Sequence, residues 1–239
     1  MKNIERTVDD LVKWIKEKVE EAGCSGIVLG LSGGIDSAVV AGLAKKAFPN
    51  NTLGVIMPCH SNPEDEEHAR LVANALDIQT EKVDLSNTFD VFKEQLKDEG
   101  DNKLATANLK PRLRMTTLYY YAQKRGYLVA GTGNKSEFTI GYFTKHGDSG
   151  VDLLPLVDFV KYEVRDLARY LEVPEEIITK PPSAGLWDNQ TDEDEMGFSY
   201  KELDKYIDTG EAETHIKEKI DRMNEKSEHK RRLPLMYKK

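Results

Sequence analysis

Residues 30–37 have the sequence Gly30-Leu31-Ser32-Gly33-Gly34-Ile35-Asp36-Ser37, between an apolar run at 26–29 and an apolar segment at 38–44. This order predicts a buried strand, a tight glycine loop and a helix. Gly33 and Gly34 lack a Cβ atom, so the backbone can turn sharply and bring its N–H groups close to an anion. The hydroxyls of Ser32 and Ser37 and the helix N-terminus add donors and a favourable dipole. The loop therefore predicts a phosphate-binding site.

Asp36 does not fit a simple phosphate loop, because its carboxylate would repel phosphate oxygens. A Mg²⁺ ion between the two resolves the conflict, since it is a hard cation that prefers oxygen ligands. The loop lacks the Gly-Lys-Ser/Thr of a Walker motif and the Gly-x-Gly-x-x-Gly of a dinucleotide motif. It indicates a nucleotide whose phosphates are bound together with a metal. The alternative is a plain strand–turn–helix in which Asp36 and Ser37 only cap the helix.

The composition is that of an ordinary globular protein. The 239 residues carry a formal net charge of −8, with 39% hydrophobic and 32% charged residues, which argues against general nucleic-acid binding. Cys24 and Cys59 are too few for a disulfide framework or a zinc site of their own. No apolar run approaches the length of a membrane span, and the first residues do not resemble a signal peptide. We therefore expect a cytoplasmic protein without membrane segments.

The order of elements predicts the fold class. Strands are predicted at about 26–31, 53–57, 79–85, 127–131 and 151–156. Helices are predicted at 3–22, 37–47, 64–76, 87–97, 108–124, 161–171, 174–179, 199–208 and 211–226. The alternation predicts an α/β fold with a parallel sheet of about five strands, and 181–198 is predicted to be a long flexible loop. The glycine loop and segment 131–137 both follow strands, so both should lie at the ligand-binding edge of the sheet.

Further motifs follow the glycine loop in a fixed order. They are Asn108-Leu109-Lys110-Pro111-Arg112-Leu113-Arg114-Met115, Gly131-Thr132 with Glu137, Gly141-Tyr142-Phe143-Thr144-Lys145 with Gly147-Asp148, Asp152 with Pro155-Leu156, and Ser227-Glu228-His229-Lys230-Arg231. With the Ser-Gly-Gly-x-Asp-Ser loop, this series resembles ammonia-dependent NAD synthetase, a family of N-type ATP pyrophosphatases. The resemblance extends from about residue 4 to 234.

The resemblance implies a Rossmann-like three-layer fold, with residues 1–239 as a single domain and a helical C-terminal extension. It implies a ligase that converts deamido-NAD, ATP and ammonia into NAD, AMP and pyrophosphate through an adenylated carboxylate. It also implies Mg²⁺ as cofactor and a homodimer formed through the helix at 108–124. Because 239 residues leave no room for a glutamine amidase domain, we expect ammonia to be free or supplied by a separate protein.

Site residues are carried over by position from the resemblance. The ATP set is Gly30, Leu31, Ser32, Gly33, Gly34, Ile35, Asp36, Ser37, Met57, Thr132, Lys161 and Ser183. The deamido-NAD set is Arg112, Lys145, Asp152, His229 and Lys230. Asp36 and Glu137 are the implied Mg²⁺ ligands, and Asp36, Lys161 and Asp148 are the implied catalytic residues, with Asp148 binding or deprotonating ammonium.

Structural alternatives remain open for several of these residues. Glu137 could be a helix-start carboxylate, Lys161 a surface lysine, Asp148 a turn cap, Met57 a core side chain, and 229–232 a solvated basic tail. The chain has Gly-Thr-Gly-Asn-Lys-Ser-Glu at 131–137 where many bacterial relatives have Gly-Thr-Asp-His-Ala-Ala-Glu, so the roles of Asn134 and Lys135 are undetermined.

Competing functions are a tRNA-modifying or asparagine-type ligase with the same loop, and a non-catalytic ATP-binding module. The first would lack the motifs at Arg112, Lys145 and His229, and the second would not need both Asp36 and Glu137. A metal site in segment 60–68 is also conceivable, although an exposed helix start explains that segment better.

Overall fold

The structure is a computed structural model and describes residues 3–96, 102–183, 185 and 190–237. The strands are β1 (Ile27–Gly30), β2 (Thr52–Ile56), β3 (Gln79–Lys82) and β4 (Leu128–Val129). They form one parallel sheet in the order β3-β2-β1-β4. Since all strands point the same way, their carboxyl ends meet at one edge.

The helices lie before, between and after the strands. They are α1 (Ile4–Glu21), α2 (Ile35–Ala47), α3 (Pro63–Ala75), α4 (Ser86–Gln95), α5 (Lys103–Ala107), α6 (Leu109–Arg125), α7 (Lys135–Ile140), α8 (Lys161–Tyr170), α9 (Glu175–Thr179), α10 (Asp192–Met196), α11 (Tyr200–Thr209) and α12 (Thr214–Ser227), followed by a 3-10 turn at Glu228–Lys230.

Each face of the sheet is covered by helices because alternate strand residues point to opposite sides. Ile27 and Leu29 belong to a core shared with α1, α2 and α8, whereas Val28 belongs to a second core with α4 and α6. A third apolar cluster joins α7, α10, α11 and α12, the helical extension. The predicted α/β fold with a parallel sheet flanked by helices is confirmed.

The prediction of about five strands is wrong, because the described sheet has four. The segment predicted as a fifth strand, 151–156, makes a single bridge between Ala130 and Leu153. There the carboxylate of Asp152, instead of a backbone carbonyl, accepts the N–H of Val129 at 2.8 Å. Pro155 has no N–H to donate. Segment 151–156 therefore pairs with the chain after β4 at this one bridge and does not continue as a strand.

The predicted loop at 181–198 is only partly a loop. Residues 184 and 186–189 lie outside the described residues, but 192–196 form α10. Thr191 caps this helix by accepting the N–H of Asp194, and Met196 is fully buried. The acidic run at 192–195 suits the first turn of a helix, where the macrodipole favours negative charge.

In the part of the chain that the structure describes, no helix combines the length and the hydrophobicity needed to cross a bilayer.

Candidate active site

The glycine loop connects β1 to α2 at the carboxyl edge of the sheet. Its two hydroxyls are 3.1 Å apart, Ser37 Oγ donates to the carbonyl of Gly34 at 2.8 Å, and Ser32 Oγ accepts the N–H of Gly34 at 3.2 Å. These bonds hold the turn in shape without a ligand. The first turn of α2 has no side-chain cap and lies at this edge of the sheet, where its N–H groups can bind an anion.

Position 33 of the loop can hold only glycine, because of its backbone conformation and its close neighbours. Its φ of +78° lies in the left-handed region, and a Cβ atom would come within 2.5 Å of the carbonyl oxygen of Asp65 on α3. Both the conformation and the close approach of α3 exclude a side chain here.

Lys161 joins the two acidic residues that follow β1 and β4. Its Nζ lies 2.6 Å from Asp36 Oδ2 and 3.2 Å from Glu137 Oε1, although 125 and 24 residues separate the partners in the chain. Lys161 is buried, whereas 16% and 17% of the Asp36 and Glu137 side chains remain exposed. The buried ammonium group thus binds both carboxylates, and part of each carboxylate side chain remains exposed to solvent.

Asp192 and Tyr200 extend this network. The Tyr200 hydroxyl donates to Asp192 Oδ2 at 2.8 Å and lies 3.4 Å from Glu137 Oε1, and the Tyr200 ring centroid is 4.8 Å from the Lys161 ammonium. Asp192 is 4% exposed, and its Oδ1 atom has no hydrogen-bond partner among the described residues. Asp36, Glu137 and Asp192 thus form an acidic cluster at Lys161, in which Asp36 and Glu137 pair with its ammonium group and Asp192 is joined to it through Tyr200.

Burial shifts the protonation of this cluster. Desolvation raises the pKa of Glu137 to about 7 against the attraction of Lys161. Burial alone would lower the pKa of Lys161, but Asp36 and Glu137 outweigh it and raise that pKa above its ordinary value. Lys161 is therefore a permanent ammonium group at neutral pH.

Asn134 fixes Asp36 from the other side. Its Nδ2 donates to Asp36 Oδ1 at 2.8 Å, and its Oδ1 accepts the N–H of Glu137 at 3.0 Å. Glu137 in return accepts the N–H of Asn134, which completes a capping box at the start of α7. Glu137 is thus both a helix-start residue and a member of the acidic cluster.

A second group of site residues gathers around segment 141–148. Lys230 Nζ donates to the carbonyls of Gly141 and Phe143, both at 2.9 Å. Lys145 Nζ donates to the carbonyl of His229 at 2.6 Å, and Arg112 Nη2 lies 3.4 Å from the carbonyl of Lys145. Four of the five predicted deamido-NAD residues are therefore neighbours, and the alternative of a solvated basic tail is wrong for Lys230.

Asp152 and Asp148 are held by hydrogen bonds of their own. Asp152 accepts a hydrogen bond from Tyr119 at 2.9 Å as well as from Val129, and neither of these bonds joins it to Lys230 or His229. Asp148 accepts the N–H of Thr144 at 2.8 Å. The Asp148 side chain is exposed to solvent on one side. Protein atoms on its other sides desolvate the carboxyl group, and this raises its pKa.

Comparison with known proteins assigns the chain to a family. A family model described as NAD synthase matches residues 7–234. The chain belongs to the NAD synthase family. This confirms the sequence-based prediction of an ATP-using ligase of NAD biosynthesis.

Individual relatives match nearly the whole chain. The NH(3)-dependent NAD(+) synthetase of Carboxydothermus hydrogenoformans is 56% identical, and the match covers 97% of each chain. Among solved structures, NMN synthetase from Francisella tularensis has a TM-score of 0.94 and 38% identity, covering 98% of each chain. NH3-dependent NAD synthetase from Campylobacter jejuni, in complex with nitrate, has a TM-score of 0.84 and 29% identity, covering 98% of this chain and 99% of that one.

The remaining predicted ATP residues follow strands β2 and β4 or lie near the glycine loop. Met57 follows β2, its side chain is buried in the second core, and its carbonyl accepts a bond from Arg114 Nε at 3.1 Å. Thr132 follows β4 and is half-buried. Ser183 accepts the N–H of Gly185, which lies beside Asp65 near the glycine loop.

The conceivable metal site at 60–68 has no support. His60 pairs with Asp90, whereas His68 contacts Glu176 and Lys180. Within the described ranges, no three His, Cys, Asp or Glu side chains are grouped so as to hold a metal by themselves.

Sequence reasoning missed five residues of the acidic cluster and its support. They are Asn134, Ser136, Asp192, Tyr200 and Asp204. The pattern Asn134-x-x-Glu137 is a capping-box signal that could have located α7. The other four come together only through tertiary packing, and single polar residues on separate helices give no local signal.

Proposed function

We propose that this chain catalyses the amidation of deamido-NAD by ammonia, with ATP converted to AMP and pyrophosphate. The nicotinate carboxylate attacks the α-phosphorus of ATP, and the acyl adenylate formed then reacts with ammonia, releasing AMP. Membership of the NAD synthase family and the 56% identical relative support this assignment. The observation that carries it is the cluster of Asp36, Lys161 and Glu137 beside the glycine loop.

The acidic cluster fits Mg²⁺ as the cofactor. Carboxylate oxygens are the ligands that Mg²⁺ takes from proteins, one or two at a time, together with water and substrate phosphates. Asp36 and Glu137 would hold the ion, and the unpartnered Asp192 Oδ1 adds negative charge nearby. When bound there, Mg²⁺ would neutralise charge on the ATP phosphates as the α–β bond breaks.

The chain's own groups would bind and orient ATP. The N–H groups of the first turn of α2 would face the phosphates, since those of Leu31, Ser32 and Gly34 already donate within the protein. Lys161 would supply a fixed ammonium group at the same place. Because hydrogen bonds within the loop preform its shape, these donors need no rearrangement when charge develops on the phosphates. Ser183 and Thr132 would add hydroxyl contacts, and the backbone around Met57 would meet adenine.

The second group of site residues, around segment 141–148, would bind deamido-NAD. Arg112, Lys145 and Lys230 offer cations for its pyrophosphate and carboxylate, and His229 and Asp152 offer polar contacts. Asp148, whose pKa is raised, would hold ammonium or take a proton from it, so that neutral ammonia can attack the adenylate. Ammonia, the nucleophile, would then lie beside the adenylated nicotinate carboxyl group.

We further propose a homodimer formed through α6. The helix exposes 61% of Tyr120 and borders an open groove of about 630 Å³. Its lining residues are Thr116, Tyr119, Tyr120, Ala122, Gln123, Tyr127, Leu128 and Asp152. Aromatic side chains of this kind are enriched in protein interfaces. With ATP and deamido-NAD as substrates, the reaction belongs in the cytoplasm and needs neither nucleic acid nor membrane.

A second candidate is amidation of nicotinate mononucleotide. The solved structure named NMN synthetase is 38% identical to this chain and matches it with a TM-score of 0.94. The chemistry at the carboxyl would be the same, so the two functions differ only in whether the AMP half of deamido-NAD is recognised.

One assay tests both candidates. Purified protein is incubated with ATP, Mg²⁺, ammonium and either deamido-NAD or nicotinate mononucleotide, and amide product, AMP and ADP are measured. We expect NAD and AMP in equal amounts and a higher kcat/KM with deamido-NAD. Production of ADP, or no NAD at saturating ammonium, would contradict the proposal, and a higher kcat/KM with the mononucleotide would favour the second candidate.

A further inference from the structure

Helix α8 carries Lys161 as its first residue but has no cap of its own. The preceding residue, Val160, has an apolar side chain, so it cannot accept a hydrogen bond from the first turn. The first N–H groups of a helix have no partner within the helix, and leaving them unsatisfied in a buried place is costly. Because Lys161 is 1% exposed, water does not readily fill this role.

Two other helices supply the missing acceptors. Ser136 Oγ on α7 accepts the N–H of Lys161 at 3.1 Å, and Asp204 Oδ2 on α11 accepts the N–H of Tyr162 at 3.0 Å. Ser136 Oγ in turn donates to Asp204 Oδ1 at 2.5 Å. Ser136 and Asp204 are 0% and 3% exposed, so this is a closed buried network with each oxygen in use.

The network leads directly to the acidic cluster. Ser136 is next to Glu137 in α7, and Asp204 lies one turn after Tyr200 in α11. Tyr200 places its ring over the Lys161 ammonium, while Asp204 holds the backbone from which that side chain extends. Lys161 is thus fixed at both ends by the same helix.

We propose that Asp204, acting with Ser136, is a positioning residue for Lys161 and thereby sets the affinity of the site for Mg²⁺·ATP. A rotation or shift at the start of α8 would move the ammonium group away from Asp36 and Glu137. The cluster would then present its carboxylates in the wrong geometry. The naming of Mg²⁺·ATP as the ligand rests on the proposed function.

The competing explanation is that Asp204 only stabilises the fold. Such a role would reduce the folded fraction or loosen the protein generally, and it would affect both substrate sites. A positioning role affects Mg²⁺·ATP alone, because the bonds of the residues proposed for deamido-NAD go to segment 141–148, to His229, to Tyr119 and to Val129, and not to α8.

Asp204→Asn tests the proposal, and Asp208→Asn is its matched control. Asp208 lies one turn further along α11, is exposed, and contacts the Tyr162 hydroxyl at 3.1 Å instead of the α8 backbone. Both substitutions remove one negative charge from the same helix next to the same tyrosine. Dissociation constants for Mg²⁺·ATP and, separately, for deamido-NAD are measured by titration calorimetry on the full chain, together with the binding stoichiometry.

We expect Asp204→Asn to weaken Mg²⁺·ATP binding about 10-fold or more, because a displaced ammonium group would no longer orient Asp36 and Glu137, the proposed metal ligands. Deamido-NAD binding and the stoichiometry should be unchanged, and Asp208→Asn should bind both ligands normally. Ser136→Ala, which keeps a helix-forming residue in α7, should weaken Mg²⁺·ATP binding in the same way. If Asp204→Asn does not fold, the dissociation constants of Ser136→Ala test the proposal instead.

Three outcomes would overturn the proposal. These are unchanged Mg²⁺·ATP binding in both variants, equal weakening of the two ligands, and an Asp208→Asn effect as large as that of Asp204→Asn. Absence of deamido-NAD binding in the unsubstituted chain would instead contradict the proposed function, and the Mg²⁺·ATP measurements would still decide the role of Asp204.

Discussion

The ammonium group of Lys161 lies between the carboxylates of Asp36 and Glu137 and is paired with both. A buried charge is costly unless it is paired, and the carboxylates around it would repel each other without it. Lys161 therefore serves as the counterion that keeps Asp36 and Glu137 together. Asp36 could be predicted from its own loop, because a carboxylate among phosphate donors needs a chemical reason. Nothing local identifies Lys161, which the resemblance alone supplied.

Replacing Lys161 should destabilise the metal-free protein strongly. Lys161→Met leaves the carboxylates of Asp36 and Glu137 without their ammonium partner, so we expect a loss of about 3–5 kcal/mol in the free energy of unfolding. Lys18→Met is the control, because Lys18 also lies 2.6 Å from a carboxylate, that of Glu21, but in an exposed pair. There the loss should be only about 0–1 kcal/mol. Urea unfolding without Mg²⁺ measures both, and equal losses would contradict the role of Lys161 as counterion.

At the scale of elements, sequence patterns predicted most of the structure. The first four strands and the longer helices appear within a few residues of their predicted ends, because apolar periodicity and breaker residues act locally. The elements that were missed are short. Helix α7 depends on a capping box, α10 on the burial of Met196, and the predicted fifth strand fails at Asp152 and Pro155. Such outcomes depend on partners distant in sequence.

Gly33→Ala should damage the glycine loop beyond the cost of its conformation. An alanine in the left-handed region costs about 1–2 kcal/mol, and at Gly33 the new Cβ would also collide with the backbone of α3. Gly126→Ala is the control, since Gly126 has a φ of +68° and a Cβ added there would have no atom within 4 Å. We expect thermal unfolding to show the larger loss for Gly33→Ala, and the KM for ATP to rise in that variant alone. Equal losses would mean that the close approach of α3 is unimportant.

Arg231→Met should loosen the segment that carries His229 and Lys230. Arg231 donates to the carbonyls of Phe138 and Thr139 at the end of α7 and to the carbonyl of Asn224 on α12. We expect the KM for deamido-NAD to rise severalfold with little change in the KM for ATP. Arg232→Met is the neighbouring control, because the exposed Arg232 side chain pairs with Glu228. Steady-state kinetics with each substrate varied in turn would show whether the two variants differ as expected.

At the scale of the whole molecule, the acidic cluster couples stability to pH. The raised pKa of Glu137 means that the folded protein holds a proton that the unfolded chain releases. This contribution to stability is complete below pH 4.5, the ordinary pKa of a glutamate, and is lost as the pH rises through about 7. The metal-free protein is therefore less stable at alkaline pH, where the cluster is fully ionised.

Glu137→Gln should remove this part of the pH dependence. Between about pH 5.5 and pH 8, the contribution of Glu137 should fall by about 2 kcal/mol in the unsubstituted protein, and the neutral amide should not titrate. Urea unfolding of both proteins at the two pH values, in the presence of a chelator, measures the difference. An identical pH dependence in the two proteins would show that Glu137 is ionised throughout this range.

The strand order β3-β2-β1-β4 also has a consequence for synthesis on the ribosome. Until residues 128–129 have been made, β1 is an edge strand with unpaired backbone groups, and the loop that follows it has neither Glu137 nor Lys161 beside Asp36. Edge strands of this kind are prone to pair with other chains. Glu137 and Lys161 are made later still, so the nascent chain completes its acidic cluster only after this edge is covered. Chaperone contact is most useful to it while β1 is still an edge strand.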